Sequence, residues 1–385
     1  MRSIVLICFF PFLLFAQDDD QPKLTMKGYL KDMASVNYLG DSSLFQNLIH
    51  NRLNFAWYAN DKFTVYAEFR TRLLTGDLVR QIPGYGKLID SNNDYFDLSA
   101  NVIDSRSAVL NTMADRLYVK WNHGNWEVKA GRQRINWGVN LAWNPNDLFN
   151  AFSFFDFDYE ERPGSDALRI NYYTGVASSV EVAAKVAEDM DHFVAAGMWR
   201  INKWNYDIQF LGGIAQGDLA IGTGWAGNLG KAGFKGEVTV FQKAIDTDVN
   251  FSYDNMMLAA ISVDYSFPNS FYLNGSVMYN SQGTYNQGFG LSFIGLRPTT
   301  VRDLSPYKWS SFIQSAYQIS PLVYSSLAII GYPGGDSFFI NPGVTVSVKQ
   351  NLDLDLIGQL FYGNDLNGDF GSLIKAGYLR LKWSF

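Results

Sequence analysis

The sequence predicts an all-β protein, a transmembrane antiparallel barrel of the outer-membrane type with about 18 strands, 16 being the alternative count. Three observations carry this expectation. Apolar and polar residues alternate with a period of two along most of the chain, the connections alternate between tight and long, and no stretch of eighteen apolar residues exists to make a spanning helix. The composition agrees: Phe 29, Tyr 22, Trp 10 and Gly 34 are high for 385 residues, as a sheet closed between lipid and water requires.

The N-terminus comes first. Arg2, an apolar run from Ile4 to Phe15 and Ala16 before QDDDQP read as a secretory signal peptide over 1–16, because the run is too short to cross a bilayer as a helix. That leaves 17–385 as a single barrel domain. The one cysteine, Cys8, falls inside the leader, so the mature chain is expected to carry neither a disulfide nor a cysteine metal site. Loss of Arg2 moves the formal net charge of -6 down by one, and an acidic chain is a poor partner for nucleic acid.

The C-terminus holds the clearest ladder. In KAGYLRLKWSF, Leu379, Leu381, Trp383 and Phe385 share one face, and Tyr378, Arg380, Lys382 and Ser384 share the other. KFTVYAEFR sets Phe63, Val65, Ala67 and Phe69 against Thr64, Tyr66, Glu68 and Arg70, while RLYVKW sets Leu117, Val119 and Trp121 against Arg116, Tyr118 and Lys120. WNYDIQF and NLDLDLIGQL continue the pattern. Strands are expected at 24–36, 51–59, 62–72, 114–122, 125–133, 166–174, 176–187, 191–201, 204–215, 217–229, 231–242, 252–265, 269–281, 307–318, 321–331, 337–349, 351–363 and 371–385. The stretch 289–296 leaves this count open by two. An even number returns both termini to one side, with tight links there and the long connections 73–113, 134–165 and 282–306 on the other, extracellular side. A soluble β-sandwich would alternate in the same way. Against it stand the aromatic residues near strand ends, including Trp126, Trp204, Trp309 and Trp383, which suit interfacial belts.

With the apolar face toward lipid, the other face lines the lumen. Alternation puts Arg52, Glu68, Arg70, Arg116, Lys120, Glu127, Lys129, Arg169, Lys235, Glu237, Arg380 and Lys382 on the pore wall, together with Lys27, Lys31, Asp353 and Asp355. Basic residues predominate in this set, so the excess acid of the chain belongs mostly to loops.

The connection 134–165 is the expected constriction loop. It carries Trp137, Trp143, Asp147, Phe149, Asp156, Asp158, Glu160, Glu161 and Arg162. NPNDLF reads as a short helical turn with Asn144 as cap and Pro145 at the first position. Phe149, Phe152, Phe154, Phe155 and Phe157 are anchors against the wall or neighbouring loops, with the acids beside the basic wall and Arg162 as their local partner. A loop capping the barrel from outside is the alternative placement. Arg132 breaks the parity of Trp126, Val128 and Ala130, which calls for a bulge or an exit from the membrane. Trp137, Trp143 and Tyr159 are candidates for an aromatic sugar track.

The order GRQRINWG, NPNDLFN, DFDYEERPGSDALR resembles alginate-export-like porins and related Gram-negative outer-membrane barrels, and the final Phe385 resembles their terminal assembly signal. The aromatic-rich, acidic composition is similar to that of proteins from the Bacteroidetes. The resemblance implies passive passage or export of polar, often anionic, solutes through a monomeric barrel, outer-membrane lipid around it, and outer-membrane assembly machinery engaging the last strand.

Groups for catalysis are sparse. His50, His123 and His192 have no close metal-ligand spacing, no nucleophile elbow is evident, and the adjacent Glu160 and Glu161 make a poor acid/base pair, so no enzyme, metal or cofactor is expected. DSNND at 90–94 and GNDLNGDFG at 363–371 offer oxygen ligands, but turn chemistry accounts for them better than calcium binding. The expected function is a porin or channel for diffusion or export of small polar solutes, anionic or carbohydrate among them. The alternative is a non-conducting structural or binding barrel in an envelope complex.

Overall fold

A computed structural model describes residues 23–40, 42–90, 94–152, 154–158, 160–245, 255–284, 300–364 and 368–385. The 1–16 leader, Tyr159 and residues 285–299, including the 289–296 stretch, lie outside the described residues.

The chain begins with β1 (Leu24–Leu39), β2 (Ser42–Tyr58) and β3 (Phe63–Gly76), then two short helices, α1 (Asp77–Gln81) and α2 (Tyr85–Ile89). Next come β4 (Ser99–Asp104), β5 (Ala108–His123), β6 (Trp126–Gln133), β7 (Ser165–Tyr173) and β8 (Ser179–Lys185). The middle of the chain forms β9 (Val194–Lys203), β10 (Tyr206–Ala215), β11 (Asp218–Leu229), β12 (Ala232–Lys243), β13 (Asn255–Ser266) and β14 (Phe271–Asn280). A 3-10 turn at Val301–Asp303 precedes β15 (Trp309–Ser320), β16 (Val323–Tyr332), β17 (Ser337–Lys349), β18 (Leu352–Asn364) and β19 (Phe370–Ser384).

Eighteen of these strands close into an antiparallel barrel, and β4 lies apart from that count, paired with β5. Closure joins the first strand to the last: Tyr29 stands between Arg52 of β2 and Ser384 of β19, and Gly28 and Phe385 exchange two backbone hydrogen bonds of 2.9 Å. Among the described residues every strand of the barrel pairs with a neighbour on each side, which is the condition for a sheet to live in lipid.

Along each strand the exposed apolar side chains point outward, as Leu379, Leu381 and Trp383 do on β19, while their neighbours face the interior. Trp57, Trp126, Trp204 and Trp383 are exposed at the end of the barrel that carries both termini, forming an aromatic girdle there. Turns at that end are tight: Trp204 and Asn205, with φ of 57° and 63°, make the two-residue link from β9 to β10 whose twist matches paired strands. Among the described residues no helix is long and apolar enough to cross a membrane.

β4 lies inside the expected connection 73–113, and two strand starts depart furthest from expectation. β2 starts at Ser42 rather than near 51, and β5 at Ala108 rather than 114. In both stretches an apolar residue also stands on the interior face, because Leu48 of β2 and Val109 of β5, with Leu74 of β3, pack against Val79 and Tyr85 of the helical segment above them. An apolar residue on each face erases the alternation that reveals a strand.

The wall is lowest from β6 to β8, with strands of 8, 9 and 7 residues against 16 and 17 in β1 and β2. There β4 continues the sheet beside β5 above the end of β6. Arg132 sits at this join, bonded to Asp166 at 2.9 and 2.7 Å and to the Phe96 carbonyl. The β5–β6 and β6–β7 registers run without a shift, so the parity break at Arg132 marks the end of the strand and not a bulge.

Candidate functional site

From Gln133 the chain turns into the barrel and follows its inner wall through most of a circuit. The opening stretch docks first. Trp137 Nε1 donates to Glu181 of β8 at 2.7 Å, and Gln209 of β10 donates to the Trp137 carbonyl at 2.7 Å. Glu237 of β12 then accepts the backbone N–H groups of Val139 (2.6 Å), Asn140 (2.9 Å) and Asn146 (2.9 Å). One wall carboxylate thereby satisfies three loop donors that would otherwise be buried without partners.

Asn144 to Asp147 form a single turn, closed by Asp147 N–H donating to the Asn144 carbonyl at 3.1 Å, with Pro145 at its second position. The expected helical turn reduces to this one turn, and the next donor, the Leu148 N–H, bonds to the Asn146 carbonyl at 3.0 Å instead of continuing a helix. Asn146 reaches into β11, donating to the Thr223 carbonyl and accepting from Thr239 at 2.6 Å. Room for it comes from Gly222 and Gly224, where a Cβ would lie 2.8 and 2.7 Å from Asn146 side-chain atoms.

The phenylalanines continue the circuit. Phe149 meets Trp137 edge-on at 5.0 Å, Phe154 meets Phe312 of β15 at 4.9 Å, Phe155 meets Phe339 of β17 at 4.9 Å, and Phe157 meets Tyr378 of β19 at 4.8 Å. Arg162 stacks on the Phe152 ring rather than serving Glu160 or Glu161. Together with Val301 and Tyr307 of the 300–308 segment, this part of the loop builds an apolar core inside the barrel against β7 to β18. Trp137 and Trp143 are 1% and 4% exposed, and Phe149 and Asp147 are buried with them. The expected sugar track is therefore corrected: these rings are packed against the wall and present no face to a solute.

The acidic stretch lies on the other half of the wall. Asp158 pairs with Lys31 (2.8 Å) of β1, His50 (3.2 Å) of β2 and Arg380 (3.2 Å) of β19. Glu160 pairs with Lys382 at 2.9 Å, and Glu161 accepts from Tyr29 at 3.1 Å and lies 3.6 Å from Arg52. These three carboxylates straddle the seam where β1 closes on β19. Arg116 ends the circuit by donating to the carbonyls of Glu161 and Arg162 at 2.8 and 2.6 Å.

Burial raises both of the loop's own acids, yet they end shifted in opposite senses. It pushes the Asp147 carboxyl up to about 8, against the pull of Arg134 and the Trp137 N–H and aided by nearby Glu237. It works against Asp158 too, but there the hydrogen bond from His50 and the Lys31 ammonium prevail and hold the carboxyl well below the usual range.

The twelve residues read from alternation as wall residues stand in three different settings. Arg52 and Glu237 are fully buried, the first among Asp115, Glu68 and Glu161, the second under the loop. Arg70 and Arg116 are also buried, while Arg380 keeps a little exposure between Asp355 and Asp158. Glu68, Lys120, Glu127, Lys129, Arg169, Lys235 and Lys382 remain partly open. Lys120 and Lys129 flank Glu127 at 3.4 and 3.1 Å, Arg169 pairs with Glu181, and Lys235 with Asp264.

Alternation alone missed Asp115. A register shift opposite Glu68 and Phe69 puts both Asp115 and Arg116 on the interior face, so the acid reaches Arg52. His50 lies just before the expected strand 51–59, so alternation did not place it, and its partner Asp158 is 108 residues away.

No family model matches the chain, and no curated protein matches it in sequence. Its fold is shared with solved outer-membrane porins. OccAB2 of Acinetobacter baumannii aligns with a TM-score of 0.60 and 9% identity over 94% of this chain and 98% of that one. OccK5 (OpdH) of Pseudomonas aeruginosa gives 0.59 at 9% identity, again over 94% and 98%. OpdK of Pseudomonas aeruginosa, solved with vanillate, gives 0.57 at 9% identity over the same shares.

Proposed function

We propose that the chain is a channel of the Gram-negative outer membrane that passes small polar solutes, with preference for anions, and that the loop 134–164 sets its width. The single observation that carries this reading is the division of the inner wall. Basic side chains run side by side from β19 through β1, β2, β3, β5 and β6 to β7, including Arg380, Lys382, Lys31, Arg52, Arg70, Arg116, Lys120, Lys129 and Arg169. The other half is filled by the apolar part of the loop. Lys31, Arg52, Arg70 and Arg116 are buried in that row, so a solute passing between the two halves meets the partly open Lys382, Lys120, Lys129 and Arg169 on one side and packed loop on the other, an arrangement that focuses anions into a narrow path.

The structural neighbours support the channel class, and the vanillate named with one of them is a small aromatic carboxylate. An anionic saccharide is the narrower candidate suggested by the loop's resemblance to alginate-export-like porins. The last strand, ending at Phe385 against Trp383, is the element offered to assembly machinery.

A second reading has its own observation. The apolar core within the barrel favours an occluded resting state, as expected of a binding or structural barrel in an envelope complex. Reversal potentials of the refolded protein in a planar bilayer under a KCl gradient separate the two. A conducting, anion-selective barrel supports the channel; correctly inserted protein that never conducts supports the second reading.

A further inference from the structure

Glu160 differs from the other loop acids in where it stands. Asp158 is held on three sides, whereas Glu160 has a side chain 42% exposed and rests on Lys382 at 2.9 Å and on Arg380 Nη1 at 3.7 Å. Arg380 is fixed independently of it, with Nε on Asp355 at 2.8 Å and Nη1 on Asp158 at 3.2 Å. Lys382 also lies 5.0 Å from the Tyr29 ring. Arg380 is thus held by Asp355 of the wall and Asp158 of the loop, Lys382 lies beside Tyr29 of the wall, and the bridging carboxylate is the most exposed of the three side chains. An exposed ion pair of this kind is weak and readily exchanged.

We propose that Arg380 and Lys382 form an anion-binding site in which Glu160 is a tethered competitor, displaced when a carboxylate- or phosphate-bearing solute arrives. This inference rests on the channel reading for its physiological meaning, but the site is defined by its own geometry. A carboxylate already spans the two cations, and a free oxyanion has the same bite and charge. The tether sets a threshold: a monovalent anion meets an acid already in place at high local concentration, while a multivalent one gains more than Glu160 holds. Asp158, Glu160 and Glu161 would then act as counter-ions that keep the basic wall neutral until a solute of sufficient charge replaces part of them.

The test uses the full refolded barrel in detergent, with inorganic phosphate as the probe and binding followed by calorimetry. Glu160→Gln is expected to bind phosphate on the order of tenfold more tightly than the native protein, with its unfolding midpoint near native. Adding Lys382→Gln is expected to abolish that gain. Equal affinities in native protein and Glu160→Gln, or a gain that survives Lys382→Gln, overturn the site. Should Glu160→Gln fail to refold, Glu160→Asp carries the same comparison, its shorter reach giving an intermediate gain if the site is real and none if it is not. Bilayer recordings separate this from the channel reading. Tighter phosphate binding without conductance leaves the site standing and removes the channel, and conductance with unchanged phosphate affinity does the reverse.

Discussion

Glu237 of β12 holds the N–H of Val139 at 2.6 Å and that of Asn146 at 2.9 Å, so a single wall carboxylate pins two points of the infolded loop seven residues apart. Replacing it with leucine strands three buried donors. Glu237→Leu is expected to destabilise the docked loop by about 3 kcal/mol and to turn a steady single-channel current into one with frequent larger openings. A current indistinguishable from native would show that Glu237 does not hold the loop.

Gly222 and Gly224 make the hollow into which Asn146 is set. Gly224→Val places a branched side chain against Asn146 and the neighbouring Gln209, and is expected to cost about 1–3 kcal/mol by overpacking. Its thermal unfolding midpoint should fall, and the additional change Asn146→Ala should recover part of the loss. If Asn146→Ala adds to the damage instead, the contact is not the source of the strain.

The buried Asp147 gives the loop a pH dependence of defined sign. Its carboxyl titrates near 8 when docked and near the ordinary carboxylate value of 3.8 when released. Protonated Asp147 favours the docked loop, so this contribution is complete below about 4, declines as pH rises and is gone above about 8. Asp147→Asn should flatten that decline, leaving the variant with the more tightly docked loop at pH 8. Thermal midpoints of the two proteins at pH 5 and pH 8 decide it, and parallel losses in both would remove Asp147 as the cause.

Trp143 packs against Phe312 at 6.3 Å inside the barrel. Because its ring is buried, Trp143→Ala is expected to act on stability, by about 3–5 kcal/mol, and not on saccharide affinity. Measured binding of an oligosaccharide that falls in this variant while its unfolding midpoint stays native would restore the ring to a solute track.

The barrel was legible because period-two alternation survives wherever one face meets lipid and the other meets charge, as in β19. It failed where the loop and helices cover the interior, as at Leu48 and Val109, since burial on both sides removes the polar phase. Within the site, parity placed Arg52, Arg380 and Glu237 inside but could not say which of them faces water. That depends on contacts such as Asp158 with His50 and Arg380, joined across 108 and 222 residues by closure of the sheet. Asp115 escaped for a local reason, the bulge that turns two successive side chains inward.

The most direct test of the account compares single-channel conductance and ion selectivity of the native barrel with a variant in which residues 144–161 are replaced by a short Gly-Ser link. The account predicts small, anion-selective native openings and a several-fold larger conductance in the variant, with stronger anion preference once Asp158, Glu160 and Glu161 no longer neutralise the basic wall. Equal conductance in the two proteins, or a shift toward cations on removing the loop, would contradict it.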